Sequence, residues 1–191
     1  MEKHNHFILF KPYGYLSQFT TKQTKRTNKK MLGELFPFPP ETMAIGRLDE
    51  PSEGLLLLTT DGKMSELIRS SLFEKEYYAQ VDGEITSEAI EKLKNGVEIG
   101  FEGIKYITNS CAVYKLNEIP NLPERGKKIR DYRHGPTSWV SIALTEGKFR
   151  QVRKMTAAVG FPTLRLVRIR IGKIHIGQMI AGEVIETDGF L

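Results

Sequence analysis

The chain has 191 residues, 40% of them hydrophobic and 27% charged, which is enough for one large domain or two small lobes with a substantial core. Its single cysteine, Cys111, excludes an internal disulfide and fits a reducing cytoplasm. The N-terminus has no signal-peptide hydrophobic region, and no apolar run approaches the roughly 20 residues that cross a bilayer. We therefore expect a cytoplasmic protein with no membrane partner. The net charge of +5 favours an anionic partner, with nucleic acid as the first candidate.

The first third of the chain predicts two strands and a basic arm. An apolar strand at 7–10 ends in the turn residues K-P-Y-G at 11–14. Residues 20–30 contain no apolar side chain and predict an exposed arm, which is either only solvated or grips RNA phosphates. Its cations are Lys22, Lys25, Arg26, Lys29 and Lys30. The four leucines at 55–58, bounded by turn residues, are typical of a strand buried on both faces.

The rest of the chain alternates helical and strand patterns. Apolar spacing predicts helices at 63–72, 86–94 and 149–159, the second with Thr86 or Ser87 as its N-cap. Strands are predicted at 78–81, 104–107, 111–116, 138–144 and 164–171. The polar, basic segment 118–137 is longer than a plain connector, which favours a functional role. Together these elements predict an α+β fold around a largely antiparallel sheet.

Asp49 is the first candidate for a catalytic residue. It lies in a turn punctuated by Gly and Pro, directly before the leucine strand, so its carboxylate either supports the loop or acts in chemistry. The predicted helix at 149–159 carries Arg150, Arg153 and Lys154 on one face, and Lys148 precedes its N-terminus, where anions are favoured. A half-buried carboxylate needs such a partner. No zinc-ligand spacing, phosphate-binding glycine loop or nucleophile elbow is present.

Four motifs, in order along the chain, resemble those of the RNA pseudouridine synthases, in the branch that modifies ribosomal RNA. They are K-P-x-G at 11–14, G-R-L-D with the leucine strand at 46–62, K-x-Y at 75–77 and E-G-K-x-R-Q-V-R-K-M at 146–155, and the tail at 166–172 also fits. The resemblance spans about 7–190. It implies one pseudouridine synthase domain over 1–191, with a mixed, largely antiparallel sheet flanked by helices in two abutting lobes.

Two departures from the family pattern narrow the resemblance. Many relatives carry an N-terminal S4-type RNA-binding domain, for which the K-P-x-G loop near residue 11 leaves no room. The chain has Ser52-Glu53-Gly54 where Thr-Ser-Gly is commoner. Together with the stretches FILFKPYGYLSQFT at 7–20 and TAAVGFPTLRLVR at 156–168, these departures make the chain most similar to members that lack an S4 domain and modify large-subunit ribosomal RNA.

The resemblance also implies roles for individual residues. Asp49 would act at the bond between ribose C1′ and the uracil of a flipped-out uridine, either by attacking C1′ or by removing the C2′ proton. Arg153, or as second choice Arg150, would pair with Asp49, and Tyr77 would stack on the uracil or help to remove the C5 proton. The implied RNA contacts are Lys11, Arg47, Lys148, Arg150, Lys154 and the cations of the 20–30 arm. No metal or organic cofactor is implied, because the reaction involves no redox change. A monomer that binds ribosomal RNA is expected.

Other hypotheses remain open at this point. A non-catalytic basic RNA-binding protein, or a synthase fold without activity, would share the charge excess and would not need Asp49. A glycosidase using Asp49 and Glu53 would require carboxylates about 5–10 Å apart in a sugar cleft. The glycosidase hypothesis gives no reason for the basic excess.

Overall fold

A computed structural model describes residues 3–20, 28–70 and 73–191. The chain divides into two compact units that do not follow its sequence order. Unit 1 contains Met1–Phe73, Pro123–Lys127 and Arg170–Leu191, and unit 2 contains Glu74–Leu122 and Lys128–Ile169. Within the described ranges, no helix is both long and apolar enough to cross a membrane.

The described residues form eleven strands and three α-helices. In chain order the strands are β1 (His6–Lys11), β2 (Met43–Ala44), β3 (Glu53–Thr59), β4 (Lys75–Asp82), β5 (Glu98–Phe101), β6 (Ile104–Ile107), β7 (Ala112–Lys115), β8 (Thr137–Leu144), β9 (Thr163–Ile171), β10 (Ile174–His175) and β11 (Val184–Thr187). The helices are α1 (Gly62–Arg69), α2 (Ser87–Asn95) and α3 (Gln151–Ala158), and short 3-10 turns lie at Leu32–Glu34 and Tyr132–His134.

Unit 1 is built on an antiparallel sheet in the order β11–β1–β3. Strand β2 pairs with β3, and β10 pairs with the last residues of β9. Leu55–Leu58 are completely buried, as their unbroken apolar run predicts. Helix α1 begins directly after β3, where the Asp61 carboxylate accepts hydrogen bonds from two backbone N–H groups. The loop that contains Asp49 leads into β3, and all residues of β3 are buried.

Unit 2 is built on strands in the order β9–β4–β8–β7, with β5 and β6 forming a separate hairpin. Helices α2 and α3 contribute Leu93 and Met155 to one core cluster with the central strands. Thr86 is the N-cap of α2 and accepts a hydrogen bond of 3.2 Å from the Ala89 N–H. At the other end of α2, Gly96 has φ +99° and lies so close to the Thr108 carbonyl that a Cβ would be 2.2 Å from its oxygen.

The predicted α+β class is confirmed, and β1–β11, β1–β3 and β2–β3 in unit 1 and β4–β8, β7–β8 and β5–β6 in unit 2 are antiparallel pairs. The structure adds four short strands of two to four residues that the sequence pattern did not predict: β2, β5, β10 and β11. Helix α3 begins at Gln151 rather than at 149, because Arg150 adopts a left-handed conformation with φ +53°. Helix α1 ends at Arg69, three residues before the predicted end.

Candidate active site

Asp49 lies in unit 1, in the loop between β2 and β3. The backbone on both sides of it is fixed by hydrogen bonds. The Ser17 hydroxyl donates to the Leu48 carbonyl and accepts from the Leu48 N–H, both at 2.9 Å, and the Ser52 N–H donates to the Asp49 carbonyl at 3.0 Å. Asp49 itself is half-buried and Arg47 is exposed. The loop thus holds a carboxylate in a defined position at the edge of the core.

Lys11 joins the K-P-Y-G loop to the Asp49 turn. Its side chain is completely buried, and its Nζ donates hydrogen bonds to the backbone carbonyls of Tyr15 at 2.7 Å, Pro12 at 2.9 Å and Glu50 at 3.4 Å. The Gly14 N–H donates to the same Glu50 carbonyl at 2.8 Å. A buried ammonium group with carbonyl acceptors has no surface to offer an RNA phosphate. The structure therefore corrects the expected RNA contact of Lys11 to a structural role.

The end of the predicted basic arm is anchored beside the same turn. Lys29 forms an ion pair with Glu50, the residue that follows Asp49. Lys30 is exposed, its Nζ lies 5.4 Å from the centre of the Tyr15 ring, and its carbonyl accepts a hydrogen bond from the Leu16 N–H. The remaining predicted cations of the arm, Lys22, Lys25 and Arg26, lie outside the described residues.

A buried ion pair that the sequence pattern did not predict attaches the segment 123–127 to the rest of unit 1. The Arg125 Nε lies 3.3 Å from a Glu53 carboxylate oxygen, and the two side chains are only 11% and 2% exposed. The Arg125 guanidinium also stacks on Tyr13 of the K-P-Y-G loop, 4.3 Å from the ring centre. The one signal in the sequence was Glu53 itself, an acid where the family more commonly has Ser. Glu53 is the first residue of β3 and follows Asp49 by four positions. The ion pair therefore anchors the long polar loop at a residue that is close in sequence to Asp49.

In unit 2, Glu146 and Gln151 shape the loop that leads into α3. The Gln151 side chain accepts a hydrogen bond from the Lys148 N–H at 2.9 Å and donates to the Glu146 carboxylate at 2.6 Å. Glu146 also accepts from the Asn109 N–H at 2.8 Å and from the Tyr106 hydroxyl. The hydrogen bond to Glu146 raises the pKa of Tyr106 above its usual value. Through these hydrogen bonds, Glu146 and Gln151 of the motif stabilise the loop that leads into α3.

The cations predicted on and before α3 are all in unit 2, but they differ in exposure. Arg150 is exposed, whereas Lys148, Arg153 and Lys154 are partly buried. The Lys154 Nζ donates to the Gly100 carbonyl at 2.7 Å. Asp49 belongs to unit 1 and Arg153 to unit 2. The predicted pairing of these two side chains stays a prediction.

Tyr77 lies on β4 of unit 2, half-buried against the core cluster. Arg168 is 4% exposed, and its guanidinium carbon lies 6.0 Å from the centre of the Tyr77 ring. Burial, together with the nearby charge of Arg168, lowers the pKa of Lys75, the lysine of the K-x-Y motif. Nothing in the sequence pattern indicated that Arg168 lies beside Tyr77.

Comparison with known proteins decides the family. A family model described as RNA pseudouridylate synthase matches residues 5–158, which contain the K-P-Y-G loop, the Asp49 turn, the K-x-Y motif and all of α3. The chain belongs to this family.

Within the described ranges, no three His, Cys, Asp or Glu side chains are grouped so that they could hold a metal ion.

Curated relatives cover most of the chain. A protein of Xanthomonas campestris named ribosomal large subunit pseudouridine synthase E is 40% identical over 178 residues, covering 92% of this chain and 91% of its own. A protein of the same name from Vibrio parahaemolyticus is 39% identical and covers 92% of this chain and 71% of its own. A Bacillus subtilis protein named ribosomal large subunit pseudouridine synthase B is 28% identical over 184 residues, covering 95% of this chain and 67% of its own.

Solved structures agree with the fold. A crystal structure of a pseudouridylate synthase aligns with a TM-score of 0.74 at 24% identity, covering 98% of this chain and 71% of that one. An archaeal box H/ACA complex of Nop10 and Cbf5 aligns with a TM-score of 0.57 at 16% identity, covering 94% of this chain and 51% of that one. The pseudouridine synthase fold predicted from the motifs is confirmed.

Proposed function

We propose that this member of the family isomerises a uridine of large-subunit ribosomal RNA to pseudouridine, with Asp49 as its catalytic carboxylate. The observation that carries the proposal is the fixed Asp49 turn. Ser17 holds the residue before Asp49, Lys11 holds the residue after it, and the Asp49 side chain stays half-exposed. A reacting group gains most when it is held in one geometry before the substrate binds. The relatives named as large-subunit synthases support the class of RNA.

The reaction sets clear demands on such a group. The bond between ribose C1′ and N1 of the uracil breaks, the base turns, and C5 forms a new bond to C1′ while the C5 proton is lost and N1 gains one. A carboxylate serves this sequence by attacking C1′ to give a covalent intermediate, or by removing the C2′ proton to give a glycal. Asp49 suits either route. No group leaves the RNA, so no external donor or acceptor is needed.

Other residues have supporting roles in this proposal. The target uridine is flipped out of its stack, at a cost of a few kcal/mol that contacts in the pocket offset. Tyr77 stacks on the uracil or takes part in removing the C5 proton, and Arg153 keeps Asp49 ionised and oriented. The exposed side chains of Arg47 and Arg150 bind phosphates of the RNA.

The test is to measure pseudouridine after incubation with large-subunit and small-subunit ribosomal RNA transcripts, by digestion to nucleosides and chromatography. We expect the wild type to form pseudouridine in the large-subunit RNA and Asp49→Asn to form none. Asp188→Asn removes an exposed carboxylate in the same unit and should keep the activity of the wild type. Equal activity of Asp49→Asn and wild type would reject the proposed role of Asp49, and modification of the small-subunit RNA alone would reject the proposed substrate.

A further inference from the structure

Phe149 is an exposed aromatic residue inside the motif that leads into α3. The residue is 67% exposed, although a phenylalanine is normally buried in a core. Its neighbours in sequence are Lys148 and Arg150, and the Lys154 Nζ lies 5.5 Å from its ring centre. A solvated ring between cations has no evident role in the stability of unit 2.

A second ring beside this loop has the same surroundings. The Lys148 Nζ lies 5.0 Å from the centre of the Tyr106 ring. We call the surface formed by Tyr106, Lys148, Phe149, Arg150 and Lys154 the aromatic–basic patch; all five residues belong to unit 2. It combines the two rings of Tyr106 and Phe149 with three positively charged side chains.

The patch is held in place by the buried part of the same motif. Gln151 is 4% exposed and binds both the Lys148 N–H and Glu146. The two carboxylate oxygens of Glu146 accept hydrogen bonds from within unit 2, so this acid is engaged inside the protein. The left-handed backbone of Arg150 then turns the chain into α3 directly after Phe149. The ring is therefore presented by a fixed loop.

We propose that the aromatic–basic patch binds an unpaired segment of the RNA substrate, with a base stacked on Phe149 and phosphates bound by Lys148 and Arg150. This inference rests on the proposed function. Unpaired nucleotides fit the patch because their base faces are free to stack on an aromatic ring, whereas the faces in a duplex are already covered. The cations supply the charge that attracts the backbone. A protein partner would be expected to cover the ring with apolar contacts and would not need the surrounding cations.

The experiment measures the affinity of the full-length protein for two labelled RNAs by fluorescence anisotropy. One is a single-stranded oligouridylate of about twelve nucleotides and the other is a duplex of the same length. Phe149→Ala should weaken binding of the single strand about tenfold, since stacking of one base contributes on that order, and should change duplex binding little. Phe149→Tyr, which keeps the ring, should bind as the wild type.

Salt dependence separates stacking from charge. Phe149→Ala should shift the affinity equally at every salt concentration, because it removes no charge. Lys148→Gln should instead reduce the slope of log affinity against log salt by about 0.7, because one phosphate contact is lost.

Tyr114→Ala is the matched control for the loss of an exposed ring. Tyr114 is half-exposed and lies outside the aromatic–basic patch, and its hydroxyl donates a hydrogen bond to Glu76. We expect it to leave both RNA affinities unchanged.

Pseudouridine formation is measured in parallel so that the two proposals fail separately. If Phe149→Ala binds the single strand as tightly as the wild type, or loses affinity for the duplex equally, the patch is overturned whatever the activity. If Phe149→Ala weakens single-strand binding selectively but the wild type forms no pseudouridine, the patch stands and the proposed function fails. Unfolding of Phe149→Ala in urea should match the wild type, since the ring is exposed.

Discussion

Lys11 and Asp49 are charged residues of one pair of loops, and the structure gives them different tasks. Lys11 is fully buried and bound to backbone carbonyls, whereas Asp49 is half-exposed at the end of the turn that Lys11 supports. Lys11 belongs to the K-P-x-G motif and Asp49 to the G-R-L-D motif. The motifs alone do not distinguish a charged residue that supports a loop from one that takes part in the reaction. Burial makes that distinction, because a lysine that contacts RNA must reach solvent.

At the residue scale we predict that Lys11→Met lowers the free energy of unfolding by about 2–4 kcal/mol, because buried carbonyl oxygens lose a charged donor. Urea denaturation measures this. Lys63→Met removes an exposed lysine from the same unit and should change stability by less than about 0.5 kcal/mol. The salt dependence of RNA binding should be the same in Lys11→Met and wild type. Unchanged stability together with a smaller salt slope would show that Lys11 contacts phosphate after all.

At the scale of elements, the sequence predicted the three helices and the long strands. Their apolar spacing and capping residues are local properties, as the N-cap Thr86 illustrates. It missed β2, β5, β10 and β11, because strands of two to four residues have too few positions to show a period. The start of α3 was also misplaced, since helical spacing cannot reveal the left-handed Arg150.

The loop 118–137 shows the limit of local pattern more clearly. Its length and charge predicted a functional role for the loop. The structure instead shows that Arg125 forms an ion pair with Glu53, which lies more than seventy positions earlier in the chain. We predict that Glu53→Gln and Arg125→Met each lower the free energy of unfolding by about 3 kcal/mol, because each leaves one buried charge without its ion pair. The double variant should lose at least about 1 kcal/mol less than the sum of the two.

Urea denaturation of the wild type, the two single variants and the double variant gives this coupling energy. A matched control is the exposed pair of Lys105 and Glu98 in unit 2, where both side chains are more than half exposed. Its coupling should be below about 1 kcal/mol, since solvent screens it. Strictly additive losses for Glu53 and Arg125 would show that the pair does not anchor the loop.

At the scale of the whole molecule, the family was the most secure inference from sequence, because several motifs occur in one order over nearly the full chain. The division into two units was less accessible. Unit 1 takes the segments Pro123–Lys127 and Arg170–Leu191 from late in the chain, and nothing in the sequence pattern marks those boundaries. The roles of Tyr77 and Arg153 came from the resemblance alone, since side-chain partners across a fold leave no periodic signal.

The central claim is that Asp49 performs uridine chemistry, and the most direct measurement is tritium release from ribosomal RNA labelled with [5-³H]uridine. We predict release by the wild type, because the C5 proton must leave, and none above background by Asp49→Asn, which should still bind the RNA. Release by Asp49→Asn at the rate of the wild type would contradict the role of Asp49. Binding without release by the wild type would contradict the proposed reaction and would indicate an RNA-binding protein on a synthase fold.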